Sequence, residues 1–495
     1  NGGKTVDNSL FEKQGLFFKG GIPVNNQTIE ERNGVRKRIA APSDDRIGQI
    51  ALKDLLETSE IDQARIKLIL GATNVGDDKY DPDPLIKNPY HSIRESCPNA
   101  IASDLYAGCP GFNVSVELIF MLSLSGILQK NDISVVIGAE NIHRAKAFRP
   151  GDTANIIFGD DALATALETK SNRNPIGHQY GSDKARLPFT ENFLTDVARK
   201  LFEMNEYRYL DGIIIDNQFG KIEYKVPATA ARVQHRLIEL MYPEALAAGE
   251  FKKFMNALSF YDQKMNTFAF DIMSLNREPS IVELFARAYV ESGKYKTVAS
   301  IFLAPDQDIE ITIHRGSGYI FKQPGFGIVD TLTRTHGCFG DFIQAIFESD
   351  DVFGEMNGKG VFLYATRSAK KQFTELLSAN SLTFDDVELL VEHQANFAMI
   401  PMTLEKVLED NDADTSKTVR DIVANKMATN IHVRGNCSVV CMQRLPYDLQ
   451  RGALKEDTIQ SYPVNRNVEN LKDASLVMSD SVGAGMTRSS FLLKR

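Results

Sequence analysis

Between Ile101 and Ala139 the chain reads as apolar strand, sharp turn, long apolar helix and second apolar strand, and no other stretch restricts the fold as much. Ile101-Ala-Ser-Asp-Leu-Tyr-Ala is short and apolar and breaks at Gly108-Cys109-Pro110-Gly111. Helical spacing of apolar residues then runs from about Phe112 to Leu128, Asn131-Asp132 makes a turn, and Ile133-Ser-Val-Val-Ile-Gly-Ala is a continuous buried strand. Strand, helix and strand in this order predict a parallel pair joined by a right-handed crossover.

Similar signals flank this unit. Helical spacing covers Ile47 to Leu56, and Ile66-Lys-Leu-Ile-Leu-Gly-Ala-Thr reads as a buried strand. Residues 78–89 hold three prolines and are expected to be a loop, with a helix pattern after them to about Ala100. Ala162 to Leu167 is a further apolar segment. From about 170 to 350 the pattern is less regular, with helices expected over Asn192–Met204, Val233–Met241 and Ile281–Val290. Strands are expected there at Gly212-Ile-Ile-Ile and Ile309-Glu-Ile-Thr-Ile. Order returns with a helix over Gly360–Ala379, a strand Val387-Glu-Leu-Leu-Val, a helix to Leu408, and a helix to about Leu445 that Pro446 should stop or kink. Two apolar strands near Ala474–Ser479 and Phe491 close the chain, around the loop Val482-Gly-Ala-Gly-Met-Thr-Arg.

Four turns could carry chemistry. Cys109 sits where strand becomes helix, facing unpaired backbone N–H groups and the positive end of the helix dipole. Both favour thiolate, the nucleophilic form. Gly108 and Gly111 keep that turn tight and open, as in the nucleophile elbow of hydrolases with sulfur replacing oxygen. Position alone fits a buried, inert cysteine equally well. His393 ends a buried strand, the edge at which open α/β sheets place their sites. Asn436 follows Gly435 at a third strand-to-helix turn, where a plain helix N-cap is the simpler reading. Gly483-Ala484-Gly485 is either an ordinary hairpin or a loop that brings a backbone N–H to a thioester oxygen. Gly337-Cys338-Phe339-Gly340 imitates a nucleophile turn, but no buried strand is expected before it. Cys437 and Cys441 read as packing residues.

Composition removes several other functions. At 495 residues and 43% hydrophobic, the chain can bury a large core in more than one unit. Net charge is −9 and the only basic cluster is Arg36-Lys37-Arg38, so no nucleic-acid partner is expected. No apolar run reaches the roughly 18–20 residues that cross a bilayer, so no membrane partner is expected either. Asn1 is not an initiating residue, and no apolar signal segment follows it. The five cysteines are odd in number and lack metal spacing, which predicts free thiols, no metal and a cytoplasmic location.

Taken together, the motifs resemble the β-ketoacyl-acyl-carrier-protein synthase III family of the thiolase superfamily. Asp104-Leu-Tyr-Ala-Gly-Cys109-Pro-Gly-Phe is similar to its nucleophile segment, and Val135-Val-Ile-Gly-Ala-Glu140 and Phe158-Gly-Asp-Asp-Ala162 to the strands after it. Glu392-His393-Gln-Ala-Asn396 resembles the histidine motif, Gly435-Asn436-Cys-Ser438 the asparagine motif and Val482-Gly-Ala-Gly-Met-Thr487 the terminal glycine loop. Arg32-Asn-Gly-Val-Arg36-Lys-Arg38-Ile-Ala-Ala-Pro42 resembles an early segment that contacts coenzyme A. The likeness covers about residues 25–170 and 355–495.

The resemblance implies an α/β thiolase fold, five-layered αβαβα with two similar halves, usually as a homodimer. Residues 1–175 would form the half with the nucleophile, 176–350 an insertion or cap plus the start of the second half, and 351–495 the half with the His and Asn motifs. It implies catalytic Cys109, His393 and Asn436, with the backbone N–H groups of Cys109 and Ala484 as oxyanion donors. No tightly bound cofactor is implied; acyl-CoA is a substrate, met by Arg32, Arg36 and Arg149. An acyl group would pass to Cys109, and a malonyl-type thioester would then lose CO₂ and condense with it. Ala398 and Asp152 stand where the family carries basic residues, which argues against an acyl carrier protein as partner. Three other functions fit parts of the pattern: acyl transfer to oxygen or nitrogen, a papain-like protease, and a non-catalytic subunit. The protease lacks its cysteine signature, and a non-catalytic subunit should have lost one of the three residues.

Overall fold

The computed structural model describes residues 3–41, 47–74, 97–142, 147–149, 151–171, 180–206, 208–219, 226–249, 252–264, 267–274, 279–304, 307–316, 324–348, 351–409 and 415–495. The expected loop at 78–89 and most of the helix after it lie outside them.

The first unit follows the sequence closely. Helix α1 (Ile47–Thr58) precedes β1 (Ile66–Ala72), β2 (Ile101–Tyr106) leads into helix α2 (Gly111–Leu124), and β3 (Ile133–Glu140) and β4 (Asp161–Glu168) follow. Strands β2 and β3 flank β1 in parallel, and β4 returns antiparallel to β3. Helix α2 stops four residues before the expected Leu128. Gly126 takes a left-handed φ of 76° and the Leu128 N–H reaches back to the Leu122 carbonyl, a C-terminal cap that polar-apolar spacing does not reveal.

Residues 180–316, irregular by sequence, are regular in structure. They form β5 (Tyr180–Leu187), α3 (Phe193–Met204), β6 (Gly212–Asn217), α4 (Thr229–Met241), β7 (Phe268–Ser274), α5 (Pro279–Glu291), β8 (Thr297–Leu303) and β9 (Ile309–Gly316). Their strands join those of the first unit in one nine-stranded sheet, in the order β4-β3-β1-β2-β7-β6-β8-β9-β5. The expected insertion is thus an extension of the first sheet.

A second sheet of four strands, β10-β15-β14-β13, is built from β10 (Gly327–Thr335), β13 (Leu389–Glu392), β14 (Leu476–Gly483) and β15 (Thr487–Lys494). Between β10 and β13 run a separate hairpin, β11 (Ile343–Glu348) with β12 (Asp351–Met356), and helix α6 (Gly358–Ala379). Helices α7 (Met399–Val407) and α8 (Cys441–Gln450) complete this part. Helix α8 continues through Pro446, and Ile431–Arg434 is one helical turn where a strand was expected before Asn436.

The layering follows from which face each side chain occupies. In the second unit Ile213 and Ile215 face α3 and α4, whereas Ile214, Phe268, Phe270 and Ile272 face α5 and α2. Strand β1 does the same, with Leu68 and Leu70 turned to the central helices. The central layer of α2, α5 and α8 also meets Leu389, Val391, Val477 and Phe491 of the second sheet, whose far side carries α6 and α7. The result is the five-layered αβαβα arrangement of the thiolase fold, with near-continuous apolar strands because both faces are covered.

Candidate active site

Three turns from distant parts of the chain meet around Cys109. Gly108 has φ 71°, and a Cβ built on it would lie 2.5 Å from the Ala484 nitrogen. A Cβ on Gly483 would lie 2.4 Å from the Cys109 nitrogen. The Cys109 turn and the β14–β15 loop therefore interlock at a spacing that only glycine permits. This brings the backbone of Ala484 against the backbone of Cys109, both at the edge of one pocket.

The β14–β15 hairpin is pinned from behind. Arg488 on β15 donates to both oxygens of Asp480 on β14, at 3.0 and 2.6 Å, and also to Ala365 O and Ser368 Oγ. Both partners are 1% exposed. Removing one partner of such a pair costs about 3–5 kcal/mol, because the other charge is left buried. The Asp480 carbonyl also accepts from the His393 N–H at 2.9 Å, so the histidine turn hangs on the same hairpin.

His393 follows directly after β13 and is buried, with no hydrogen-bond partner for Nδ1 among the described residues. Burial pulls its imidazole down, but the sulfurs of Cys109 and Cys441 outweigh burial and raise it to about 10. The charged form of the ring is thus favoured by the sulfurs it faces. Glu392, one residue earlier, is lifted to about 8 by burial and by Asp480, which keeps a second negative charge away from the site.

Asn436 is buried, and its Oδ1 accepts from the Ser438 N–H at 2.8 Å. That bond is the cap-like contact expected of a plain Asn, and it also fixes the amide so that Nδ2 is the free donor. Gly435, at φ 70°, allows the tight passage: a Cβ there would meet Ile157 O at 2.9 Å. Backbone bonds from Asn436 N to Ile157 O and from Gly159 N to Asn436 O tie this turn to the loop before β4.

Several residues escaped the sequence reading. Ser438 Oγ donates to Cys109 Sγ at 3.3 Å, and Asn74 Nδ2 donates to Ser438 Oγ and to Glu140 Oε1, each at 2.7 Å. Asn74 follows the end of β1, a strand-end position that could have flagged it. Cys441 is not merely packing, for its Sγ donates to Asn436 Oδ1 at 3.8 Å and it acts on His393. Cys338 corrects the reasoning used for it: strand β10 does precede it, yet burial pushes its thiol up and keeps it protonated.

The pocket over Cys109 has an empty volume of about 690 Å³, solvent at its mouth included. Its walls are mainly apolar: Ile142, Phe148 and Phe158 on one side, Val226 and the β11–β12 hairpin on the other. Phe148 and Phe158 stack at 5.4 Å. Of the residues expected to meet coenzyme A, Arg36 is bonded to Glu30, Asp457 and the Thr458 carbonyl, whereas Arg32 is exposed with its guanidinium 4.9 Å from the Phe18 ring centre. The Arg149 carbonyl accepts from Asp152 N and Asn155 Nδ2. Among the described residues no group of side chains suits a metal ion, and no helix is long and apolar enough to cross a membrane.

Fold and site together define a thiolase-fold protein in which Cys109 opens on an apolar pocket, His393 faces its sulfur, and Asn436 is joined to it through Ser438. No known family model matches the chain. It is 26% identical over 227 residues to β-ketoacyl-[acyl-carrier-protein] synthase III 2 of Staphylococcus epidermidis, a match covering 45% of this chain and 64% of that protein. It is 31% identical over 156 residues to β-ketoacyl-[acyl-carrier-protein] synthase III of Ehrlichia ruminantium, covering 31% and 46%. The chain therefore matches from about half to just under two thirds of the length of these relatives. The crystal structure of β-ketoacyl-[acyl carrier protein] synthase III from Thermus thermophilus superposes with a TM-score of 0.50 at 15% identity, over 99% of this chain and 95% of that one. That of 3-oxoacyl-[acyl-carrier-protein] synthase III from Aquifex aeolicus gives 0.50 at 14%, over 99% and 96%. These bear out the resemblance to the synthase III family and its fold, in a longer, divergent chain.

Proposed function

We propose that this protein is an acyltransferase of the condensing type, in which Cys109 carries the acyl group. The observation that carries the reading is the interlock of the Gly108 turn with the Gly483–Gly485 loop. It brings the backbones of Cys109 and Ala484 together at the pocket, which supports the reading that their N–H groups receive one thioester oxygen. In the first half-reaction Cys109 Sγ attacks the acyl-CoA carbonyl carbon. The oxyanion gathers charge between the two N–H donors, and CoA leaves as thiolate and takes up a proton. Imidazolium His393 supports the attacking thiolate until acylation removes its charge, and the part of the lift due to Cys109 then disappears.

In the second half-reaction a malonyl-type thioester enters. His393 and the Asn436 amide hydrogen-bond to its carbonyl oxygen, the bond to CO₂ breaks, and its electron pair forms an enolate. That carbon attacks the acyl-Cys109 carbonyl, and the thiolate of Cys109 leaves. Because the donors are fixed by backbone bonds before charge develops, they favour the transition state over the ground state. The apolar walls suit an acyl chain. Acyl-CoA, rather than a carrier protein, is the favoured donor, given Ala398 and Asp152. The chemistry needs reduced thiols, consistent with five free cysteines and a cytoplasmic setting.

Intact mass after incubation with a panel of acyl-CoAs tests the first half-reaction. One acyl adduct is expected, absent in Cys109→Ala; an adduct unchanged in that variant would overturn the reading. Addition of malonyl-CoA should then release a β-keto product and CO₂, and acyl transfer without CO₂ would leave only the acyl carrier.

A further inference from the structure

Eight strands of the nine-stranded sheet form a palindrome, with β5 added outside β9. Outward from the central seam the strands run β2, β1, β3, β4 on one side and β7, β6, β8, β9 on the other. Both sides have the same directions: two parallel neighbours around β1 or β6, then an antiparallel fourth strand. Both have the same chain order too, with strand, connection, strand, helix, strand and return. Helices α2 and α5 hold the same place in that order and pack together under the seam. At the seam β2 and β7 are antiparallel, with Tyr106 opposite Asp271 and Ser103 opposite Ser274, as a local two-fold axis requires.

Without residues 180–316, β2 would be an unpaired edge directly before the nucleophile, and an open apolar edge of this kind has to be covered. A second copy could cover it across a two-fold axis. Here β7 of the same chain does so. In sequence the second unit has no cysteine at the matching position: Arg277 stands two residues before α5, as Cys109 stands two residues before α2.

The second unit nonetheless reaches the site. Val226, between β6 and α4, lines the Cys109 pocket, and its carbonyl accepts from Ala345 N of the β11–β12 hairpin at 2.9 Å. Gln234 on α4 accepts from the Gly337 N–H at 2.9 Å. Ala231 on the same helix lies 3.4 Å from where a Gly485 Cβ would stand, and so backs the glycine loop.

We propose that residues 180–316 are a catalytically silent internal counterpart of the first unit, which takes a second subunit's place at β2 and supplies, through Val226, a wall that sets how long a chain the Cys109 pocket admits. The homodimer that the family resemblance implies is then replaced, at this edge, by one chain. The statement about chain length rests on Cys109 being the acyl carrier; the pairing and the wall do not.

Light scattering on the full chain should give the mass of one chain at micromolar concentration, and a stable two-chain particle would overturn the replacement. The wall is read with N-ethylmaleimide and N-octylmaleimide, following the Cys109 peptide by mass spectrometry. Val226→Phe should slow the octyl reagent by about tenfold and leave the ethyl reagent within about twofold. Val226→Ala should speed the octyl reagent selectively, and it decides the matter if the Phe variant does not fold. Equal ratios of the two rates in wild type and in the folded variants would overturn the wall. Because the maleimides need no acyl-CoA, length discrimination with no acyl adduct would reject the acyl carrier and leave the wall standing.

Discussion

The two units of the large sheet use the same frame and place their buried polar groups differently. In the first, the second residue after β1 is turned outward to the site: Asn74 links Glu140 to Ser438, and Ser438 meets the Cys109 sulfur. In the second, the end of β6 is turned inward. Asn217 donates to Thr229 Oγ1 and Asp271, and Asp271 accepts from the N–H groups of Thr229 and Ala230 at the start of α4. Asp216 is engaged with Ser274 and Gln218. One strand end serves a sulfur, its counterpart braces a helix. The frame therefore demands only apolar strands around a central helix, and reactivity depends on what the loops add.

That contrast can be broken from the catalytic side first. Gly483→Ala places a methyl group 2.4 Å from the Cys109 nitrogen, so the loop has to move. Acylation of Cys109 should fall by about 100-fold, the scale of losing one oxyanion donor, while the second unit is untouched. Stopped-flow release of CoA measures it, and a rate within twofold of wild type would contradict the interlock. A smaller effect is expected from Ser438→Ala, which removes the hydrogen bond to the Cys109 sulfur. Alkylation of Cys109 by iodoacetamide at fixed pH should change by about tenfold, the scale of one hydrogen bond worth about 1.5 kcal/mol. A rate within twofold of wild type would show that Ser438 does not influence the sulfur.

The smallest effect lies in the second unit. Burial lifts Asp216 from 3.8 to about 6, so between those values the folded protein holds a proton that the unfolded chain has released. This opposes folding fully above about pH 6, and the opposition fades as pH falls toward 4. Asp216→Asn should therefore raise the melting midpoint at pH 7.5, by the equivalent of about 1–2 kcal/mol, and lose that advantage near pH 4. An advantage that grew on acidification would reverse the sign of the argument.

Much of the first unit was legible because apolar runs and glycine turns are local signals. Strand β1, strand β3 and the turns at Cys109 and His393 fall where spacing puts them. The second unit's individual helices were legible as well, but its palindrome was not, since pairing between residues as distant as Ser103 and Ser274 leaves no literal repeat. Strand β10 was missed because Gly-Ile-Val-Asp-Thr-Leu-Thr-Arg-Thr looks half-polar. Its polar side chains are buried through partners far along the chain, such as Asp330 with Lys294 and Thr335 with Thr487. Ser438 was invisible as a site residue for a similar reason: its contact to Cys109 spans 329 positions and its φ is +50°.

The Asp480–Arg488 pair has a consequence for anyone reshaping this protein. It pins the two strands on either side of the Ala484 loop, and the Asp480 carbonyl accepts from His393, so the Ala484 N–H and the imidazole are carried by one part. The side walls of the pocket lie elsewhere, in the hairpin from Ile343 to Met356 and in Val226. The side walls can accordingly be recut as a removable jaw, while the hairpin behind them serves as the fixed jig that keeps the reacting atoms in register.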